Sequence, residues 1–182
     1  YWDYYSDKQE HYDDMFYNHK QLWDDIWFAG AVWTWQGFMP LNEYSIKNSV
    51  PAINSCKKNK IKNIFITLWG DDGGECSPFA ALPSLLYVAE YLKGNTDEYK
   101  IKEKFKRLTG IGFDDFMLLD KPNQVDMDTT AWFPPNPVKY MFYSDYMSDF
   151  LDVTVSDNVN AYEYYSKLAK ELYSVSKKTR KY

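Results

Sequence analysis

Three places in the sequence carry two functional side chains separated by a single residue. They are Tyr1 and Asp3, Trp33 and Trp35, and Trp69 and Asp71, with Asp72 directly behind the last. In an extended strand, residues two apart point to the same side. Each pair therefore offers two groups on one face. A ring beside a carboxylate is what a sugar site needs. The ring covers the apolar C–H face of the sugar, and the carboxylate accepts hydrogen bonds from two hydroxyls. Core packing accounts for one such pair as well as sugar binding does. Three pairs with the same spacing favour a shared hollow.

The elements around the pairs read as follows. Asp7 to Trp23 has Tyr12, Met15, Phe16, His19 and Trp23 at helical spacing. Ile26 to Trp35 is short, apolar and aromatic, which suits a strand buried on both faces. A helix follows from Asn42 or Ser45 to about Lys60, with Pro51 either in its first turn or marking a later start. Asn63 to Trp69 is a second buried strand, and Asp71-Asp72-Gly73-Gly74 is loop chemistry. Ser77 caps a helix with Pro78 at its first position, running to about Lys93 and stopping at Gly94. With Tyr1 to Tyr5 as the end of a strand already under way, this part alternates strand and helix. That pattern implies a parallel sheet with crossover helices.

The strand ends at Asp3, Trp35 and Asp71 lie about 32 and 36 residues apart, close to the ~31 residues per unit of an eight-unit barrel. The expected fold is therefore α/β followed by all-α. Residues 1–94 would be the last three β/α units of a TIM-type barrel, and residues 95–182 a helical C-terminal domain. Function in such barrels collects at the C-terminal strand ends, where the three pairs sit. A doubly wound open sheet is the alternative, but no Gly-rich phosphate loop follows any strand. In the tail, Thr96 caps an amphipathic helix to Leu108, and Phe113 to Leu119 forms a short one. Lys121 to Pro137 is a loop, and Lys139 to Leu151 and Ala161 to Val175 are further helices.

Composition removes several classes of function. The chain has 182 residues, 45% hydrophobic and 26% charged, the balance of a soluble globular protein. Its net charge of −5 argues against nucleic acid as a partner. No apolar run reaches the ~18 residues of a membrane span. Cys56, Cys76, His11 and His19 match neither a disulfide scaffold nor a zinc motif. Asp71, Asp72 and Glu75 lack the spacing of a calcium loop, so no metal and no cofactor is expected. Cys76 precedes a helix start that could lower its pKa, but it reads first as a structural thiol. The abnormal figure is 19% aromatics, with 17 Tyr, 11 Phe and 7 Trp. The opening at Tyr1, without Met, reads as a piece of a longer protein.

Phe28 to Phe38 (FAGAVWTWQGF) followed by Ile66 to Ser77 (ITLWGDDGGECS) resembles glycoside hydrolase family 20, the β-N-acetylhexosaminidases. The likeness is to the smaller bacterial branch with a helical domain after the barrel; it covers about Tyr1 to Gly94 well and the helical tail more loosely. Tyr1-Trp2-Asp3 resembles the family's Tyr-x-Asp at the sixth strand. Trp69-Gly70-Asp71 resembles its Trp-x-Glu at the eighth, with Asp in place of Glu. The resemblance implies that Tyr1 donates to the carbonyl of the substrate's acetamido group and that Asp3 orients that group or binds a hydroxyl. It implies that Trp69 walls the acetamido pocket or floors the −1 sugar, and that Asp71 or Asp72 holds the 4- and 6-hydroxyls. Either Trp33 or Trp35 would face the sugar.

The mechanism it implies is substrate-assisted retention. The acetamido oxygen attacks the anomeric carbon while a neighbouring Asp-Glu pair polarises and protonates. That pair belongs to the fourth strand and is not in this chain. The only Asp-Glu, Asp97-Glu98, opens a tail helix. The implied partners are an N-acetylhexosamine-containing glycan and the missing N-terminal half of the barrel, with a second copy of the chain as another way to cover exposed strand edges. No catalytic residue is expected within the chain, and the piece alone is expected to be inactive. The alternative is a non-catalytic helical module that docks carbohydrate or protein, and a different barrel glycosidase is a weaker third.

Overall fold

The computed structural model describes residues 1–126, 136–143 and 159–179. Two parallel strands, β1 (Trp27–Ala31) and β2 (Asn63–Thr67), pair in register from Trp27 opposite Asn63 to Ala31 opposite Thr67. Helices α1 (Gln9–Lys20), α2 (Asn42–Lys58) and α3 (Leu82–Leu92) accompany them. After α3 come α4 (Glu98–Thr109), α5 (Phe113–Met117), a 3₁₀ segment at Leu118–Asn123, α6 (Pro137–Tyr143) and α7 (Ala161–Thr179). The described residues are thus mostly helical, with a small parallel sheet. The expected first strand is reduced to one parallel bridge, Trp2 to Ala29, flanked by Asp3 N–H to the Ala29 carbonyl at 3.1 Å and Ala29 N–H to the Tyr1 carbonyl at 3.0 Å.

The sheet sides follow from this register. Phe28 packs with Tyr12 and Phe16 of α1 and with Ala52 and Cys56 of α2. Val32 packs with Ile53 of α2 and with Ala81 and Val88 of the third helical unit. The even-numbered positions of β1 therefore face the helices. On the other side, Trp2, Trp27 and Phe65 are exposed, at 66%, 55% and 49%. An apolar sheet face of this kind is unusual for a free surface.

Several local expectations are revised. Pro51 lies in the interior of α2, not in its first turn. It can sit there because the carbonyl it leaves without a partner belongs to Lys47, on the exposed side of the helix. Ser77 accepts from Phe79 N–H as expected of a cap, but it opens a 3₁₀ turn, Pro78–Ala81, before α3 begins. Asp97, not Thr96, caps α4 by accepting from Lys100 N–H at 3.2 Å. The segment from Leu118 to Asn123, expected partly as loop, is a 3₁₀ helix. The helix expected from Lys139 to Leu151 is described only as Pro137–Tyr143; its later part, Trp132, Phe133 and the last basic residues lie outside the described residues.

The later helices are tied back to the sheet layer. Phe105 of α4 meets Phe113 and Phe116 edge-on, each at 5.4 Å. Lys104 donates to the buried Glu90 of α3 at 2.7 Å. Tyr164 and Tyr165 of α7 donate to the carbonyls of Lys121 and Pro122, at 2.5 Å and 3.0 Å. Gly110 closes α4 in the left-handed region at φ +75°, its N–H on the Lys106 carbonyl. Gly110→Ala is expected to lower stability by about 1 kcal/mol, because a Cβ disfavours that conformation. Urea denaturation of the two proteins checks it.

Candidate functional site

Tyr1 and Asp3 do share a face, but it is the helix-facing one. The Tyr1 ring lies edge-on to Phe16 at 5.2 Å and 4.7 Å from the His19 ring of α1. Its hydroxyl donates to Asp3 Oδ2 at 2.7 Å, and His11 Nε2 lies 2.6 Å from the same oxygen. Asp3 Oδ1 accepts from Tyr5 N–H at 3.1 Å. Burial, followed by the bond to Asp3, holds the Tyr1 phenol far above its ordinary range, so it stays a neutral donor. This corrects the expected placement of Tyr1 and Asp3 beside the other two pairs at the rim. The bridge at Trp2 fixes the register, and a one-residue difference decides which side a residue takes. Both oxygens of Asp3 are used in anchoring Tyr1, His11 and the Tyr5 backbone.

The face opposite carries Trp2 and Tyr4 instead. Trp2 approaches Trp69 with ring centroids 6.4 Å apart. Tyr4 meets Trp33 at 5.7 Å and Trp35 at 5.4 Å, both edge-on. Tyr5 meets Trp33 at 5.5 Å and Tyr44 meets it at 5.1 Å. Trp35 stacks on Trp33 at 4.2 Å. The two tryptophans thus differ in status. Trp33 is 1% exposed and enclosed by other rings, whereas Trp35 lies over it half-buried. Trp33 Nε1 is a buried donor with no acceptor among the described residues. Such a group costs about 1–3 kcal/mol unless something supplies an acceptor. Tyr4, Tyr5 and Tyr44 were not foreseen as site residues. The signal for them was the continuation of aromatics past Asp3.

The third pair lies at the end of β2. Trp69 is 39% exposed, and its carbonyl accepts from the Thr34 hydroxyl at 3.4 Å, which ties the two strand ends together. Asp71 is exposed and makes no hydrogen bond or ion pair with a described residue. Burial, then Tyr5, then the Asp71 charge raise the Tyr4 phenol above its ordinary range, which relates Asp71 to the ring cluster. Asp72 differs from its neighbour, because Lys139 of α6 lies 3.4 Å from its carboxylate. Trp33, Trp35, Trp69 and Asp71 therefore gather at one end of the sheet, and Tyr1 and Asp3 stand behind it.

Cys76 is buried, and burial, with the Asp120 charge second, pushes its thiol up to about 11, which makes it inert and removes the activated-thiol reading. Among the described residues, no three His, Cys, Asp or Glu side chains come together as metal ligands would.

Asp120 is the residue the sequence did not disclose. It is 1% exposed and accepts from the Asn42 side chain at 2.9 Å and from Glu43 N–H at 2.7 Å. It thereby caps the start of α2, where Leu41 offers no side-chain cap. Asn42 also donates to the Ala80 carbonyl at 3.0 Å and accepts from the Ser84 hydroxyl at 2.7 Å. The loop bearing Trp33 and Trp35 runs directly into this junction.

No curated protein matches the chain. A family model does, described as the Glycoside Hydrolase 20C C-terminal domain, over residues 114–182. The match falls on the helical part that holds Asp120, Lys139 and α7, where the resemblance in sequence is looser than over residues 1–94. The match over residues 114–182 makes this part of the chain similar to the glycoside hydrolase family 20 C-terminal domain and suggests a glycoside hydrolase context.

Proposed function

We propose that the chain is the C-terminal part of an exo-β-N-acetylhexosaminidase. In this reading residues 1–94 are the last three β/α units of a (β/α)8 barrel and residues 95–182 its helical domain. The chain supplies sugar-binding groups, and the catalytic Asp-Glu pair stands on barrel units preceding Tyr1. Trp35 gives the sugar its stacking face and Trp69 walls the acetamido pocket. Asp71 accepts from the 4- and 6-hydroxyls. Trp33, Tyr4 and Tyr44 back Trp35, while Tyr1 and Asp3 brace the strand behind them. Asp72 is held to Lys139 and leaves the sugar to its neighbour. The reaction is substrate-assisted retention, in which the acetamido oxygen attacks the anomeric carbon and a carboxylic acid protonates the leaving oxygen.

One observation carries this reading. A half-open indole, an exposed indole and a carboxylate without a partner among the described residues lie past the C-terminal ends of two parallel strands, beside a segment that matches the family 20 C-terminal domain. The bare sheet face of Trp2, Trp27 and Phe65 supports it as well, since barrel units packed there would bury these rings.

The test is hydrolysis of aryl N-acetyl-β-hexosaminides. The chain alone is expected to give no turnover, and the chain joined to its preceding barrel units is expected to turn over. Turnover by the chain alone shows that the catalytic pair is misplaced. No turnover and no amino-sugar binding by the joined protein favours the non-catalytic docking module.

A further inference from the structure

The match to the family does not say what the C-terminal domain contributes to the mouth of the sheet. Helix α6 reaches both loops that carry site residues. On the β1–α2 side, Phe38 meets Phe142 edge-on at 4.9 Å and Tyr143 at 5.8 Å. Asn136 Nδ2 donates to the Gln36 carbonyl just ahead of it. On the β2–α3 side, Lys139 Nζ donates to the Asp72 carbonyl at 3.2 Å and lies 3.4 Å from both Asp72 Oδ1 and Glu75 Oε1. Tyr143 donates to the same Glu75 oxygen at 3.4 Å.

The β2–α3 loop has reason to need such a brace. It carries three acids, Asp71, Asp72 and Glu75, within five residues, and their like charges repel. It has no helix or strand between Thr67 and Pro78. Gly73 and Gly74 both stand at positive φ, +90° and +64°. At Gly73 a Cβ would collide with the Glu75 carboxylate, so the backbone folds tightly over that acid. Lys139 is the cation inside this fold, with its side chain only 19% exposed. Burial works against its charge, yet Asp72 and Glu75 hold its ammonium above the ordinary range. Two of the three acids are thereby occupied, and Asp71 alone of the three has no partner among the described residues.

Resting on the hexosaminidase reading, we propose that Lys139 is a positioning residue. It binds Asp72 and Glu75 so that the loop presents Asp71, and only Asp71, to the hydroxyls of the amino sugar. A single oriented carboxylate discriminates hydroxyl geometry better than three mobile ones, because the bound pose needs no reordering of the loop.

Two measurements test this. In the chain itself, Lys139→Met is expected to speed amide hydrogen exchange over residues 70–77 by about tenfold and to leave α1 and α2 unchanged, while Lys139→Arg stays near wild type. In the protein with its barrel completed, Lys139→Met is expected to raise KM for the aryl hexosaminide about tenfold, with Arg restoring most of the loss. Unchanged exchange over 70–77 overturns the proposal, and so does faster exchange with an unchanged KM. A wild-type protein that neither cleaves nor binds a hexosaminide overturns the hexosaminidase reading and the sugar-presenting role with it, while the exchange comparison separately decides whether Lys139 holds the loop.

Discussion

As pH rises from about 4 to about 7, the wild-type chain is expected to lose stability that an Asp120→Asn variant keeps. Burial is the main reason the Asp120 carboxyl is pushed up to about 7, from 3.8 as a free side chain. The bonds from Glu43 N–H and Asn42 oppose the rise, and the Glu43 charge adds to it. Because the folded state holds this proton more tightly than the unfolded chain, the stabilisation is complete below the unfolded pKa. It fades as pH climbs through the folded value. At about 1.4 kcal/mol per pKa unit, the window is worth roughly 4 kcal/mol. Asp7, Asp13, Glu75, Glu90 and Asp97 are held below their ordinary values and give the opposite slope, lost as pH falls. They are common to both proteins and cancel in the difference. Asn also offers one acceptor where Asp offers two, which shifts its curve at every pH without changing the slope. Urea unfolding at several pH values between 4 and 8 gives the difference curve. Parallel curves for the two proteins sink the expectation.

What could be read without the structure was what repeats locally. The two apolar runs became parallel strands because each is β-rich, short and bounded by turn residues. Gly94, at φ +89°, stops α3 as its position suggested. The side taken by Tyr1 and Asp3 was not legible, because a spacing of two fixes a common face but not which face. That choice was made by Phe16, His19 and His11, all on α1. Asp120 was invisible for a different reason. Its partners Asn42 and Glu43 lie more than seventy positions away, and no local pattern marks a cap supplied from a distant segment. The same holds for Lys139, whose neighbours in sequence are apolar or aromatic while its carboxylate partners belong to another loop.

On the proposed reading, with the barrel completed, Asp71→Ala is expected to weaken binding of N-acetylhexosamine or its thiazoline analogue by about 10²- to 10⁴-fold. Two charge-assisted hydrogen bonds at roughly 1.5–3 kcal/mol each set that scale. Asp71→Asn keeps one acceptor oxygen and loses the charge, so its loss is smaller, about tenfold. Asp3 supplies the contrast. It is an aspartate like Asp71 and an equal candidate from spacing alone, yet its oxygens already accept from Tyr1, His11 and the Tyr5 backbone. Asp3→Asn is therefore expected to lower stability by about 1–3 kcal/mol, since it disturbs buried charged hydrogen bonds, and to leave sugar affinity within about twofold. Calorimetric titration with the sugar, paired with urea unfolding of the same samples, separates the two effects. Should Asp3→Asn abolish binding while Asp71→Ala does not, the sugar lies behind the sheet among the α1 contacts. The open end formed by Trp35 and Trp69 would then be an interface for another part of the protein.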